Sequence, residues 1–418
     1  MMSVLFAALA LLASSVVAYD PSRQDNLVLY YGQNSYGATH TDTAGWQKDL
    51  ATYCADDVAD VIPFAFVNVY FGTGNLPEIN LANTCNAVDS GVFDGSNLAN
   101  CQFLADDIAG CQAKGKLVTL SLGGATGAAS FSSDAQGEEF AQTVWDLFFA
   151  GSSNTRPFGD AILDGIDLDI EGGGSTGYVA FVNKFRSLAS GGSKPYYVTA
   201  APQCPYPDAY MNPILDAVGV DAVYIQFYNN YCSVASGSIN FGDWDNWAKT
   251  VSPNSDVKVF LGVPADTTAA SSGYADAQSV INLAIAARDQ YSSFGGVMIW
   301  DASQAYANGR FDATVKAAIQ QDGTAPITTA TTTAPASTTT TPTTTAPGTT
   351  TSAGTGGCAA AAAWSSTVAY TAGQQVTYNG HLYTANWWSY GSTFPLRAHR
   401  PNLLTAALAG TPGGEQQR

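Results

Sequence analysis

Short apolar runs recur through most of the chain and alternate with longer segments of helical pattern, such as residues 135–150 and 276–291. Eight strands that alternate with helices over about 300 residues predict a (β/α)8 barrel, with an open, doubly wound sheet as the alternative. The eight runs are rich in β-branched and aromatic residues, the composition typical of strands. They are residues 27–31, 61–67, 117–122, 162–170, 196–201, 222–228, 257–263 and 296–300.

Two segments before and after these runs have a different character. Residues 4–18 form an apolar stretch too short for a membrane span, and it ends in a small-residue pattern at Ala18. This predicts a signal peptide over residues 1–18 and a protein that is secreted, extracellular or in the cell wall. Residues 324–357 consist almost entirely of Thr, Ala, Pro, Ser and Gly. They predict an extended, O-glycosylated linker after a barrel of residues 19–323.

The remaining residues, 358–418, predict a small all-β module. Polar and apolar residues alternate in 375–378 and 381–385, which indicates two or three short strands. Beyond Pro395 the pattern breaks off, so we expect a truncated module whose residues 396–418 come from a shifted reading frame. The segment has more aromatic residues than so small a core can bury, namely Trp364, Tyr370, Tyr378, Tyr383, Trp387, Trp388 and Tyr390.

The amino-acid composition argues against some classes of binding partner. A net charge of −18 and a pI of about 4.2 argue against nucleic acid and anionic lipid surfaces. After the apolar N-terminal stretch no second run of spanning length follows, so we expect no membrane insertion, and a monomer is the default. Seven cysteines without a C-x-x-C pair favour disulfides over zinc binding, with Cys358 left without a partner.

The strongest chemical signal is the acidic run Asp-Gly-Ile-Asp-Leu-Asp-Ile-Glu at residues 164–171. Because strand side chains alternate between faces, Asp167, Asp169 and Glu171 share one face and the apolar residues share the other. In a barrel the three carboxyl groups would stack inward, towards the C-terminal mouth where active sites lie. Burial and mutual repulsion would raise the pKa of at least one of them, so that Glu171 can act as a general acid.

The alternatives for this run are a solvated acidic strand edge and a calcium site. A solvated edge would not interleave its acids with Ile and Leu, and calcium prefers loops that add carbonyl ligands. The predicted barrel has a single histidine, His40, which argues against a Ser-His-Asp triad and against a metal site built from histidines. A phosphate-binding loop is also missing from the sequence. We therefore predict carboxylate catalysis without a metal or a cofactor.

The acidic run resembles the D-x-x-D-x-D-x-E signature of family 18 glycoside hydrolases, at the fourth predicted strand. Further motifs are similar to the plant and fungal class III chitinases, and the resemblance covers residues 26–320. These motifs are Tyr30-Tyr31-Gly32-Gln33-Asn34, Ser121-Leu122-Gly123-Gly124, Ala200-Ala201-Pro202-Gln203-Cys204, Gln226-Phe227-Tyr228-Asn229-Asn230 and Gly296-Val297-Met298-Ile299-Trp300.

This resemblance implies an endo-acting chitinase with a retaining, substrate-assisted mechanism. Glu171 would be the general acid and base, and Asp169 would orient the acetamide of the substrate while sharing a proton with Asp167. Tyr228 would donate a hydrogen bond to the acetamide, and Trp300 would form the aromatic floor beneath the bound sugar. The alternative is that both rings simply fill the barrel interior. The other implied substrate contacts are Tyr30, Gln33, Gly124 and Gln226.

The resemblance also implies features outside the acidic strand. It implies cis peptides at Ala65-Phe66 and Trp300-Asp301. The C-terminal module resembles small chitin-binding modules, with Trp387, Trp388 and Tyr390 as the sugar platform. The disulfides that the resemblance implies are Cys54–Cys111, Cys85–Cys101 and Cys204–Cys232.

Two other functions share much of this pattern. One is a non-hydrolytic chitin-binding barrel, although such proteins typically lose the terminal acid that Glu171 provides here. The other is an endo-β-N-acetylglucosaminidase acting on N-glycans, which shares the acidic signature. The class III motifs and the C-terminal module favour a chitinase over both.

Overall fold

The computed structural model describes residues 19–125 and 129–320, together with the backbone of residues 375–378 and 381–384. Contacts within the chain divide it into two units, Met1–Ile327 and Thr328–Arg418. The predicted signal peptide, the linker, Cys358 and the aromatic platform of the module lie outside the described residues.

Eight parallel strands close into a barrel in the first unit. Neighbouring strands follow chain order, and the first strand pairs with both the second (Val28↔Val61) and the last (Asn26↔Gly296), which closes the sheet. The predicted (β/α)8 barrel is thus confirmed and the open sheet is excluded. The eight strands are β1 Asn26–Leu29, β2 Val61–Val69, β4 Leu117–Gly124, β5 Gly165–Ile170, β6 Tyr197–Ala200, β7 Ala222–Gln226, β8 Lys258–Pro264 and β9 Phe294–Trp300.

One further strand of this sheet was not expected from the sequence. Strand β3, Glu78–Ile79, pairs antiparallel with the end of β2, where Val67 faces Ile79. Two residues are too few to show a period of two, so no apolar pattern marks this strand. It extends the sheet at the C-terminal end of β2.

Helices pack around the outside of the barrel. The two helices that the pattern predicted begin at side-chain caps, because Ser133 accepts a hydrogen bond from the Gln136 N–H and Asp276 accepts one from the Ser279 N–H. The helices are α1 Ser35–Thr39, α2 Leu50–Tyr53, α3 Ala105–Ala113, α4 Asp134–Phe148, α5 Tyr178–Ala189, α6 Asn212–Leu215, α7 Phe241–Thr250, α8 Ala277–Gln290, α9 Ala302–Ala307 and α10 Phe311–Ile319.

Large side chains fill the barrel interior. At the end where the strands begin, Tyr19 is buried and its ring meets Tyr197 edge to face at 5.2 Å. In the middle, Tyr224 packs edge to face against Phe260 at 5.1 Å. A filled interior makes the barrel a rigid support for the groups at its C-terminal mouth.

The three disulfides expected from the family resemblance are present. Cys54 bonds Cys111, Cys85 bonds Cys101, and Cys204 bonds Cys232. The third bond joins the loop after β6 to the loop after β7, on the C-terminal face. The two expected non-proline cis peptides, Ala65-Phe66 and Trp300-Asp301, are also present.

In the second unit, two short strands are described. Strand β10, Gln375–Tyr378, pairs antiparallel with β11, His381–Thr384, in register from Gln375↔Thr384 to Tyr378↔His381. They coincide with the two alternating segments of the sequence. Within the described residues, no helix has the length and apolar character needed to cross a membrane.

Candidate active site

Strand β5 places its acidic residues inside the barrel. Its apolar residues Ile166 and Leu168 join the outer core between the sheet and the helices. Asp167 and Asp169 point the other way and are 0% and 3% exposed. Glu171 follows the last residue of β5 and is partly exposed at the C-terminal mouth. The alternation of the sequence therefore produces a column of three carboxyl groups that rises from the interior to the cleft.

Asp167, the deepest of the three, is held by three hydroxyl groups. Tyr30 Oη donates to its Oδ2 at 2.6 Å, Ser121 Oγ donates to the same oxygen at 2.7 Å, and Thr199 Oγ1 donates to Oδ1 at 2.8 Å. Burial raises the pKa of Asp167, and these three hydrogen bonds oppose the rise. Its carboxylate is thus fixed in place by donors from three separate strands or strand ends.

Asp169 lies above it and is oriented by Gln226 at the end of β7. Gln226 Nε2 donates to Asp169 Oδ1 at 2.9 Å and to the carbonyl oxygen of Ala201 at 2.9 Å, which fixes the orientation of the amide. Burial raises the pKa of Asp169 well above its usual range, and the nearby charges of Glu171 and Asp167 raise it further. The column therefore retains a proton where an isolated carboxyl group would lose it.

Glu171 shares this environment at the mouth of the column. Burial raises the pKa of Glu171, and the negative charge of Asp208 adds to the rise, while hydrogen bonds with Gln226 and Asp169 oppose it. Such a group can donate its proton at a pH where most glutamates are ionised.

Asp208 is a fourth carboxyl group beside the site, and sequence reasoning missed it. It lies in the loop after β6 and its carboxylate accepts the backbone N–H groups of Gln203, Tyr210 and Met211 at 2.9, 2.8 and 2.7 Å. The sequence around Asp208 does not alternate between polar and apolar residues as a strand does, so the hydrophobic pattern did not indicate this residue. Ser121 and Thr199 were also not predicted, although Ser121 belongs to one of the recognised motifs and Thr199 lies within a predicted strand.

Two aromatic side chains border the column. Tyr228 is 6% exposed, and burial, followed by the charges of Asp169 and Glu171, raises the pKa of its hydroxyl well above its usual range. Trp300, at the end of β9, is partly exposed, with its ring centre 5.6 Å from that of Tyr30. The cleft therefore combines a protonated hydroxyl group with a flat apolar surface.

Two of the other predicted contacts have a visible structural role. Gly124 has a φ of +86°, and a Cβ atom there would lie 2.9 Å from the ring of Phe66, so a side chain at this position would collide with that ring. The amide nitrogen of Gln33 donates to the carbonyl oxygens of Ala65 and Asn80, at 2.9 and 3.1 Å. Gln33 thus connects the loop after β1 to β2, and these bonds occupy the group that could donate to a sugar.

The predicted site residues of the barrel thus come from β5 and from the ends of β1, β4, β7 and β9. The predicted platform of the module, Trp387, Trp388 and Tyr390, falls outside the described residues. In the part of the chain that the structure describes, no cluster of three or more His, Cys, Asp or Glu side chains is arranged to hold a metal ion.

Comparison with known proteins identifies two families that match this chain. The family described as Glycosyl hydrolases family 18 matches residues 26–287, and Carbohydrate-binding module family 5/12 matches residues 363–395. Chitinase 1 of Rhizopus niveus is 50% identical over 303 residues, which cover 72% of this chain and 58% of that protein. The Endochitinase of Saccharomyces cerevisiae is 47% identical over 292 residues, 70% of this chain and 49% of that protein. The chain spans about half the length of the curated relatives it matches.

Solved structures show the same barrel. The ICChI chitinase from Ipomoea carnea matches with a TM-score of 0.59 and 31% identity, over 70% of this chain and 99% of that one. A xylanase and alpha-amylase inhibitor protein from Scadoxus multiflorus matches with a TM-score of 0.57 and 29% identity, over 69% and 97%. With the acidic column on strand β5 and the family match over most of its barrel, this chain belongs to family 18 of the glycosyl hydrolases.

Proposed function

We propose that this protein is a secreted chitinase that hydrolyses β-1,4 linkages between N-acetylglucosamine units with retention of configuration. The observation that carries the proposal is the column Asp167, Asp169 and Glu171, buried below and open to the cleft above. The names of the fungal relatives support chitin as the substrate, and family 18 membership supports a substrate-assisted route.

In the first step, Glu171 gives its proton to the glycosidic oxygen. The carbonyl oxygen of the substrate's own N-acetyl group attacks the anomeric carbon as the glycosidic bond breaks, and the leaving sugar departs as an alcohol. Asp169 then faces the positively charged oxazolinium ion and stabilises it, while Tyr228 orients the acetamide by a hydrogen bond. The bond from Gln226 to Asp169 keeps the carboxyl group in place for this role.

In the second step, Glu171 acts as a base. It takes a proton from a water molecule, whose oxygen attacks the anomeric carbon and reopens the oxazolinium ring. Two displacements at the same carbon leave the new hydroxyl group in the β configuration. The proton that Glu171 gains restores the starting state, so the column needs no external acid.

The remaining parts of the chain suit a polymeric substrate. Trp300 offers a flat surface beneath the reacting sugar. We propose that residues 1–18 direct secretion, that 324–357 form the linker, and that residues 358–418 bind chitin through Trp387, Trp388 and Tyr390. The match of residues 363–395 to a carbohydrate-binding module supports this assignment.

The test is hydrolysis of chitohexaose by the full-length protein and by its Glu171→Gln variant, with the anomer of the fresh product followed by NMR. We expect β-anomer from the wild type and a loss of at least about a hundredfold in the variant, the usual scale of general acid catalysis. Glu138→Gln, a substitution of an exposed glutamate on α4, is the matched control and should retain full activity.

Two results would contradict the proposal. α-Anomer as the first product would rule out the substrate-assisted route, because that route requires two displacements. A folded wild-type protein that binds chitohexaose and leaves it intact would instead identify the chain as a binding protein with the same fold.

A further inference from the structure

Two exposed tyrosines lie on neighbouring loops at the catalytic end of the barrel. Among the described residues, three aromatic side chains are strongly exposed: Phe103, Tyr210 and Tyr231, at 60%, 39% and 76%. Tyr210 follows β6 and Tyr231 follows β7, so both lie on the C-terminal face that also carries Glu171. A single exposed ring is ordinary, but two on adjacent loops of the same face can form a binding surface.

The loops that carry these rings are tied together. The disulfide Cys204–Cys232 joins them, with Tyr231 next to one of its cysteines. Asn230 Nδ2 also donates to Gln203 Oε1 at 3.0 Å, across the same pair of loops. Tyr231 is therefore held on a braced loop while its ring faces solvent. Fixing such a ring in place beforehand lowers the entropy lost when a ligand binds.

Both loops interact with groups of the acidic column, through hydrogen bonds or through charge. The backbone of Cys204 donates to the carbonyl oxygen of Gln226 at 3.2 Å, and the amide of Gln226 bonds Asp169. The N–H of Tyr210 donates to Asp208 at 2.8 Å, and the charge of Asp208 acts on Glu171. The loops that carry the two tyrosines are thus connected to the groups of the acidic column.

The chemistry of this surface fits an uncharged sugar polymer. Tyrosine combines a flat apolar face, which packs on the C–H groups of a pyranose ring, with a hydroxyl group that can bond the sugar's polar groups. We propose that Tyr210 and Tyr231 form an auxiliary sugar-binding platform. It holds N-acetylglucosamine units of the polysaccharide that lie beyond the reacting sugar. This inference rests on the proposed function for its ligand and adds a site that the acidic column does not contain.

The test measures chitohexaose binding by titration calorimetry. All proteins are full-length and carry Glu171→Gln, to prevent turnover, with Trp387→Ala and Trp388→Ala, to remove the platform proposed for the module. Adding Tyr210→Ala and Tyr231→Ala should weaken binding about tenfold, since each stacking contact contributes roughly a factor of two to ten. Tyr210→Phe with Tyr231→Phe should retain most of the affinity, and Phe103→Ala is the matched control for loss of an exposed ring.

The outcomes separate this inference from the proposed function. Unchanged affinity in the double alanine variant, or equal weakening by Phe103→Ala, would overturn the platform. The same holds if the parent protein of the series does not bind chitohexaose. Hydrolysis by the wild type is scored independently, so an active enzyme with an insensitive tyrosine pair refutes the platform alone. An inactive wild type with a sensitive pair refutes the proposed catalysis and leaves the platform standing.

Discussion

Replacing Tyr30 with Phe would remove the hydroxyl group that donates to Asp167 at 2.6 Å and leave the ring in place. The ring packs 5.6 Å from Trp300 and 6.4 Å from Tyr224, so the aromatic floor should persist. A hydrogen bond to a charged acceptor contributes about 1.5–3 kcal/mol. Because Ser121 and Thr199 still form hydrogen bonds with the same carboxylate, we take the lower value, which corresponds to an increase of about tenfold in the proton affinity of Asp167 and so raises its pKa.

This change should affect catalysis through competition for a proton. In the variant, Asp167 holds a proton more tightly and leaves fewer protons for the rest of the column, where Glu171 must be protonated to act as the acid. We expect kcat/KM for chitohexaose to fall about tenfold near neutral pH, in line with that change in proton affinity. The loss should shrink as the pH falls, because added protons then reach Glu171 as well.

The measurement is a pH profile of kcat/KM for the wild type and Tyr30→Phe, with thermal unfolding as a check on folding. Tyr178→Phe is the matched control, since it removes another buried hydroxyl, one that bonds the carbonyl oxygen of Ala129 outside the column. A loss in Tyr30→Phe that is the same at every pH, or no loss at all, would refute the competition argument.

Three further changes test other parts of the structure. Trp300→Ala should lower kcat/KM for chitohexaose at least tenfold, about 1.4 kcal/mol, and Trp300→Phe should restore part of it. For Asp169→Asn, the melting temperature should rise relative to that of the wild type as the pH increases above about 4, the ordinary carboxyl pKa. The reason is that Asp169 has a raised pKa in the folded wild type, so its ionisation destabilises that folded state. Replacing Cys204 and Cys232 with Ser opens a loop of 28 residues and should lower the free energy of unfolding by about 3.5 kcal/mol, or the melting temperature by about 6 °C in a barrel of this size.

Each of these has a contrary outcome. Full activity in Trp300→Ala would mean that the ring only packs in the cleft. A melting difference for Asp169→Asn that is constant between pH 4 and 8 would mean that Asp169 stays ionised throughout. Unchanged melting in the double serine variant would mean that the hydrogen bonds between the two loops suffice without the disulfide.

The acidic column could be predicted from the sequence because one strand carries all of it. Alternation within residues 164–171 determines which side chains share a face, and that information is local. The eight strands were likewise visible as runs, although strand β5, the fourth of the eight, begins at Gly165 and not at residue 162. Just before the strand, the side-chain carboxylate of Asp164 accepts the Val118 N–H at 2.8 Å in place of a backbone carbonyl.

The partners of the column could not be derived in this way. Thr199 and Tyr30 reach Asp167 from strands that are 32 and 137 residues away in the chain. Such contacts depend on barrel closure and register, which a hydrophobic pattern does not specify. The family resemblance pointed to Tyr30 and Gln226 but not to Asp208, whose carboxylate is oriented by a loop with no periodicity. The hydrogen bonds from the side-chain amide of Gln33 to backbone carbonyls could not be predicted from the sequence either.

The pairing of β1 with β9 has a consequence for how the chain folds. Asn26 and Gly296 are partners in this ladder, so one edge of the first strand gains its partner only after nearly the whole barrel has been synthesised, while the other edge pairs with β2. Until then the first edge stays unpaired, the condition that favours slow folding and association between chains. Closure also brings Tyr30 and Trp300 together. A chain that stops short of Phe294 would therefore lack a closed sheet and a complete cleft at once, so activity reports on the integrity of the entire barrel.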